Sequence, residues 1–179
     1  MLSCANGESS IRARDANHSS YFPMVARKVK GETMREKSSI RTRFAGLGDL
    51  DFCIKSDYKH VSEDMIRRKT EEKAVILAEV DAKPVGYLRI EYLWLKIPYV
   101  SLIVVTEEYR RKGVGTAMMK FLDEYLVRNG HRVLYSSSQA NEPEPQAWHR
   151  KVGFEECGYI AGINEGGIGE IFFRKFLED

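Results

Sequence analysis

The chain has 179 residues, 43% hydrophobic and 30% charged, which is globular usage with enough length for one domain and a core, and it excludes wholesale disorder. Its 28 Lys and Arg against 26 Asp and Glu leave a formal charge of +2, so bulk charge calls for no nucleic acid. Apolar runs such as Val100–Val105 fall far short of the ~20 residues that span a bilayer, and no membrane partner is expected.

Residues 1–38 are polar, partly basic and aperiodic, and read as an N-terminal tail ahead of a domain over 39–179. The first residues lack the charged start and apolar run of a secretory signal. Cys4, Cys53 and Cys157 are odd in number and widely spaced, so neither a disulfide framework nor a metal site is expected, and a reducing cytoplasm fits. From Ile40 the pattern sharpens. "SIRTRFA" alternates as a first strand, and "GDLDFCIKSDY" predicts a short helix with Asp49 as N-cap. "SEDMIRRKTEEK" predicts a second helix, capped by Ser62 and acidic in its first turn.

"AVILAEV" and "VGYLRIEYLW" flank the turn "DAKP" and read as a hairpin. "PYVSLIVV" is nearly continuous and β-branched, a central strand expected to be buried on both faces. Apolar residues at Ala117, Met118, Phe121, Leu122, Tyr125 and Leu126 mark one face of a helix over Thr116–Asn129, stopped by Gly130. "RVLYSSS" is the next strand, and "PEPQAWHRKV" is a helix opened by proline and closed by Gly153. "CGYIAGI", "NEGG" and "GEIFFRKFL" finish the chain as a hairpin. The order β–α–α–β–β–β–α–β–α–β–β belongs to the α/β class: a mixed sheet of about seven strands flanked by helices, with its parallel crossover near residue 105.

That crossover carries the chemistry. In "TEEYRRKGVGT" a buried strand delivers the chain to a turn, and a helix begins among Arg110, Arg111, Lys112, Gly113 and Gly115. A helix N-terminus already favours anions. The glycines permit positive φ and close approach of a ligand, and successive free amides make a cradle for phosphate oxygens. The arginines add bidentate phosphate donors, and Thr116 adds a hydroxyl. The loop lacks GxxxxGK followed by Ser or Thr, and it has Met118 where a dinucleotide fingerprint needs its last glycine.

The stretch "VTEEYRRKGVGTAMM" resembles the acyl-CoA signature of the GNAT superfamily of N-acetyltransferases, Q/R-x-x-G-x-G/A, with Arg110, Gly113 and Gly115 in its three places. "NEPEPQAWHRKVGF" resembles the second block of that family, in which an Asn precedes a helix ending in K-x-G-F, here Lys151, Gly153 and Phe154. The resemblance covers roughly Ile40 to Leu177 and implies acetyl transfer from acetyl-CoA to a primary amine, on a small molecule or a peptide, by direct attack in a ternary complex. It implies that the amides from Arg111 through Lys112, Gly113, Val114 and Gly115 to Thr116 hold the CoA pyrophosphate. Val104, Val105 and Thr106 would flank the pantetheine arm, with Asn141 as a further contact.

A backbone amide near Val105 is the expected oxyanion donor. The family's usual thiolate acid is a tyrosine; this chain has His149 at that position, one residue further from the Asn than is usual, and an imidazole can donate a proton at neutral pH. Tyr135 and Tyr159 are further candidates. The central strand has no carboxylate, and Glu91 on the strand before it is the expected base. Trp148 reads as a core anchor. A non-catalytic acyl-CoA sensor on the same fold is the alternative, and the oligomer is expected to be a monomer or homodimer.

Overall fold

The computed structural model describes residues 39–178, so the expected tail over residues 1–38 lies outside the described residues. β1 (Arg41–Phe44), α1 (Leu50–Ser56), α2 (Glu63–Glu71), β2 (Val75–Val80), β3 (Lys83–Leu93), β4 (Ile97–Val105), α3 (Val114–Arg128), β5 (Val133–Gln139), α4 (Pro143–Lys151), β6 (Glu155–Ile160) and β7 (Glu170–Phe176) follow the expected order. They build one seven-stranded sheet in the order β1-β2-β3-β4-β5-β7-β6. All neighbours are antiparallel except β4 and β5. Among the described residues no helix is long and apolar enough to cross a membrane.

Strand alternation divides the side chains between two layers. Ile76, Ala78, Leu88, Ile90, Val100, Leu134 and Phe173 point to the face covered by α3, where Val114, Met118, Leu122 and Leu126 form the buried stripe, and α4 packs on the same cluster through Trp148 and Val152. Val75, Leu77 and Tyr87 point to the other face, against Leu50, Cys53 and Ile66 of α1 and α2. Burial pushes the Cys53 thiol up to about 12, so this cysteine is an inert packing group.

Ser62 caps α2 as expected, its hydroxyl accepting from Met65 N at 3.3 Å. Asp49 behaves differently. Its carboxylate accepts from Gly46 N at 2.8 Å and from both Arg43 Nη atoms at 2.7 and 2.9 Å, so it ties β1 to the turn before α1 instead of capping the helix.

The expectation that β4 is buried on both faces is not met: Pro98 and Val100 are buried on one face, and Ile97 and Tyr99 on the other are only half-buried. Tyr99 pairs with Tyr135 and Val100 with Ser136, and no later β4 residue pairs with β5. From Ser101 to Val105 the strand is half-buried throughout. A bulge across Arg89 and Ile90 turns β4 at this point, and the two parallel strands part toward their carboxyl ends. In an open α/β sheet that is where a ligand enters.

Candidate active site

The loop after β4 has the backbone that the glycines suggested. Arg111 has φ 59° and Gly113 φ 88°, both left-handed, and α3 starts at Val114. A left-handed residue followed by a right-handed one turns successive N–H groups to the same side, the concave arrangement that holds anions. No amide from Arg111 to Thr116 makes a hydrogen bond of good geometry to the described residues; the first to close is Ala117 N to Gly113 O at 2.9 Å. Arg111, Lys112, Gly113 and Thr116 are exposed. Gly113 serves the backbone. Gly115 has no positive φ, and a Cβ there would come into ordinary contact with the Trp148 ring of α4, 3.4 Å away.

Arg110 Nε donates to Val105 O at 3.1 Å, which pins the loop to the end of β4. Thr106 N donates to Val85 O in β3 at 2.9 Å. Amides alternate sides along a strand, so the Val105 N–H points the other way, into the gap where β5 has departed. Val104, Val105 and Thr106 therefore form one wall of the opening. Asn141 is exposed in the turn before α4, close in sequence to the far wall.

His149 is elsewhere. It is 3% exposed, stacked on Phe173 at 4.5 Å and 6°, with Trp148 and Phe154 edge-on. Nδ1 lies 2.8 Å from Pro145 O and Nε2 lies 2.9 Å from Ser136 Oγ. A carbonyl only accepts, so Nδ1 carries the proton, and in the neutral ring Nε2 accepts the Ser136 hydroxyl. If the ring is protonated, Nε2 donates instead, and the Ser136 proton turns to Val100 O, 3.1 Å away. Burial, opposed by the Pro145 carbonyl and the field of Glu170, lowers its pKa and favours the neutral state. Both nitrogens are engaged, and the ring sits under the last β4–β5 pair instead of lining the opening.

Glu91 is also committed. One carboxylate oxygen accepts from Lys69 Nζ at 2.6 Å and the other from Arg89 Nη1 at 2.5 Å. Arg89 in turn donates through Nε at 2.7 Å to Asp57, whose side chain is 1% exposed and which also accepts the Tyr87 hydroxyl at 2.5 Å. This chain of charges fastens α1 and α2 to β3. Glu91 is its half-exposed end, with one cation on each carboxylate oxygen.

On the same face, sequence reading missed a group. Tyr99, Ser137 and Glu170, from β4, β5 and β7, stand side by side: Tyr99 Oη to Ser137 Oγ is 2.6 Å, and Ser137 donates to Glu170 Oε1 at 2.5 Å. Asn164 Nδ2 donates to Glu170 Oε2 at 2.7 Å. The available signal was parity: Tyr99 and Ser137 occupy the positions of "PYV" and "SSS" that face away from the α3 core. Of the two reserve tyrosines, Tyr135 is half-buried opposite Tyr99, and Tyr159 is 60% exposed on the edge strand β6.

Comparison with known proteins agrees with this geometry. Residues 45–154 match the family model described as Acetyltransferase (GNAT) family. An N-alpha-acetyltransferase of Sulfurisphaera tokodaii is 32% identical over 137 residues, covering 65% of this chain and 80% of that protein. An uncharacterised N-acetyltransferase of Methanocaldococcus jannaschii is 25% identical over 100 residues, and the match spans 52% of this chain and 44% of that relative's length. The crystal structure of Ard1 from Thermoplasma volcanium superposes with a TM-score of 0.69 at 14% identity, over 78% of this chain and 99% of that one, which is a likeness of fold.

Proposed function

The chain belongs to the GNAT family of acetyltransferases, and we propose that its domain over residues 39–179 transfers an acetyl group from acetyl-CoA to a primary amine in a ternary complex. The observation that carries this reading is the meeting of two features at one place: the parting of β4 from β5 after Val100, and the loop of unpaired amides that opens α3. The pyrophosphate would lie on the amides of Arg111, Lys112, Gly113, Val114, Gly115 and Thr116. The exposed Arg111 and Lys112 would supply charge, and Arg110 would hold the loop to Val105. The acyl arm would run along Val104, Val105 and Thr106, past Asn141.

With the thioester in the gap, the Val105 N–H points to where its carbonyl oxygen gathers charge during attack, the role of an oxyanion donor. Holding acyl donor and amine together supplies several kcal/mol of the barrier by alignment alone. His149 and Glu91 take positioning roles in this reading. His149 fixes the vertex at which the strands part, and Glu91 braces α2 against β3. The name of the Sulfurisphaera relative makes a peptide α-amine the first acceptor to try. Two free thiols among the described residues, Cys53 and Cys157, suit a reducing cytoplasm.

The test is amine-dependent release of CoA from acetyl-CoA, read by thiol detection over a panel of alkylamines and peptides with free amino termini. Heat protection by CoA is measured alongside. Gly113→Val forces a β-branched residue to φ 88° and is expected to abolish both protection and release. Native protein that binds no acetyl-CoA would overturn the reading.

A further inference from the structure

On the sheet face that carries α1 and α2, beside the point where β4 and β5 part, the chain presents a polar file with a fixed direction. Ser137 has one proton, and at 2.5 Å it gives it to Glu170 Oε1. A carboxylate only accepts, so the Tyr99 hydroxyl, 2.6 Å from Ser137 Oγ, must be the donor in that contact. The order is then Tyr99 O–H to Ser137 O–H to Glu170 carboxylate. The second carboxylate oxygen is occupied by Asn164 Nδ2 at 2.7 Å. Each proton in the file points toward Glu170, and the lone pairs of Tyr99 Oη remain to face whatever enters the gap.

The position suits that entrant. Tyr99 belongs to the last two β4 residues that pair with β5, and its phenol reaches from opposite Tyr135 forward to Ser137, toward the side on which the strands separate. Phe172 flanks it at 6.3 Å between ring centroids. Tyr58, 49% exposed and stacked on His60, lies on the α1–α2 side close enough to interact electrostatically with both Tyr99 and Glu170. The ionisable groups on the same face are the Asp57–Arg89 pair with Glu91 and Lys69, Tyr135 opposite Tyr99, Arg174 opposite Tyr135 on β7, and Glu142, with Tyr159 beside Gly169 next to Glu170. Burial raises the Tyr99 phenol, opposed by its bond to Ser137, which keeps it protonated and available as a link. Arg89 is neutralised by Asp57 and Glu91 and Arg174 lies over the Phe176 ring, so Glu170 and Glu142 make this an entrance for a cation with aromatic walls.

We propose that Tyr99, Ser137 and Glu170 form a proton relay that deprotonates a protonated aliphatic amine entering from the α1–α2 side. This rests on the acetyl-transfer reading above and names its acceptor class and base. An N–H of the ammonium passes its proton to Tyr99 Oη as the Tyr99 proton moves to Ser137 Oγ and the Ser137 proton to Glu170 Oε1. The ammonium becomes a neutral nucleophile, Glu170 becomes a carboxylic acid, and Tyr99 and Ser137 end as they began, each having exchanged one proton. In water a carboxylate does not deprotonate an alkylammonium. Removing both ions from water favours the neutral pair, and the filled pocket supplies that removal. Hydrogen bonds in a chain also polarise one another, which helps the concerted shift.

The experiment is CoA release from acetyl-CoA with alkylamines and amino-terminal peptides, from neutral pH up to the pKa of each amine. It compares the native chain, Glu170→Gln, Ser137→Ala and Tyr99→Phe. At neutral pH, Glu170→Gln is expected to lower kcat on the order of 10²–10³-fold, with KM for acetyl-CoA unchanged. The deficit should shrink about tenfold for each pH unit gained, because amine already neutral in solution needs no relay. Tyr99→Phe should follow the same pH course, and it removes only one oxygen, so it carries the test if Glu170→Gln weakens the anchoring of β7. A deficit independent of pH, or none, overturns the relay while leaving acetyl transfer standing. A native chain that binds acetyl-CoA and releases CoA with no amine overturns the acetyl-transfer reading, and the relay falls with it.

Discussion

His149→Ala separates a buried brace from a proton donor. The imidazole makes two hydrogen bonds, to Pro145 O at 2.8 Å and to Ser136 Oγ at 2.9 Å, each worth about 1 kcal/mol net. Its 4.5 Å stack on Phe173 adds about 1 kcal/mol beyond area. The variant should therefore lose about 3 kcal/mol in urea unfolding, with the midpoint lowered. The loss should also depend on pH. An unfolded imidazole titrates near ~6.5, whereas burial lowers the folded value, so on acidification the unfolded chain binds the proton first. The contribution of His149 is fully present above the unfolded value and is lost as pH falls from there through the lowered folded value, by at most about 1.4 kcal/mol per pH unit. The variant lacks this term, so the stability gap between native and variant should narrow below about pH 6.5. A variant as stable as the native chain, with kcat down on the order of 10²-fold or more, would refute the brace and restore His149 as the acid.

Three further outcomes follow from contacts in the structure. A Cβ at Gly86 would lie 2.9 Å from both Met118 and Val114 side chains, so Gly86→Val should push the start of α3 off β3, cost about 1–3 kcal/mol and raise KM for acetyl-CoA, measured by unfolding and by saturation curves. Arg89→Ala leaves the buried Asp57 carboxylate without its cation and should cost about 3–5 kcal/mol, whereas Glu91→Gln, at the half-exposed end of the chain of charges, should cost under about 1 kcal/mol and keep kcat within a few-fold. Trp94 and Leu95, with φ 49° and 62°, are the two central residues of the turn that Lys96 N closes onto Leu93 O at 3.2 Å in the three-residue connection between β3 and β4, and they are 80% and 95% exposed. Left-handed backbone is costly for such residues, and Trp94→Asn with Leu95→Gly should raise the thermal midpoint by gaining about 1–2 kcal/mol.

The elements were legible because each carries a local rule. Ser62, Pro143 and Gly130 mark helix ends by their own hydrogen bonds or backbone angles, and the apolar stripe from Met118 to Leu126 needs no partner to be read. The left-handed turn before α3 was legible for the same reason: Gly113 at φ 88° is a property of one residue. What sequence could not supply were bonds between distant residues. Asp49 offers a helix cap locally, but Arg43 and Gly46 claim its carboxylate. Glu91 offers a base on its strand, but Lys69 and Arg89 take both oxygens. His149 stands where a motif would put an acid, but the parting strands need a brace beneath Ser136, and the fold draws the ring inward.

The decisive step lies in the register of β5. Leu134, Ser136 and Ser138 are buried toward the α3 core, while Tyr135, Ser137 and Gln139 are half-buried on the opposite face. Ser136 thus joins His149 to Val100 O, and its neighbour Ser137 joins Tyr99 to Glu170. Chemically the two serines are identical. A slip of one residue would exchange them, leaving His149 facing a tyrosine or another serine and turning Leu134 out of the core. Burying Leu134 and Phe173 with α3 is what holds that register, since their removal from water is worth about 1.5–3 kcal/mol each. The apolar core on one face of the sheet therefore sets the geometry of the proton path on the other, and neither serine could be assigned its role until the strand had a partner.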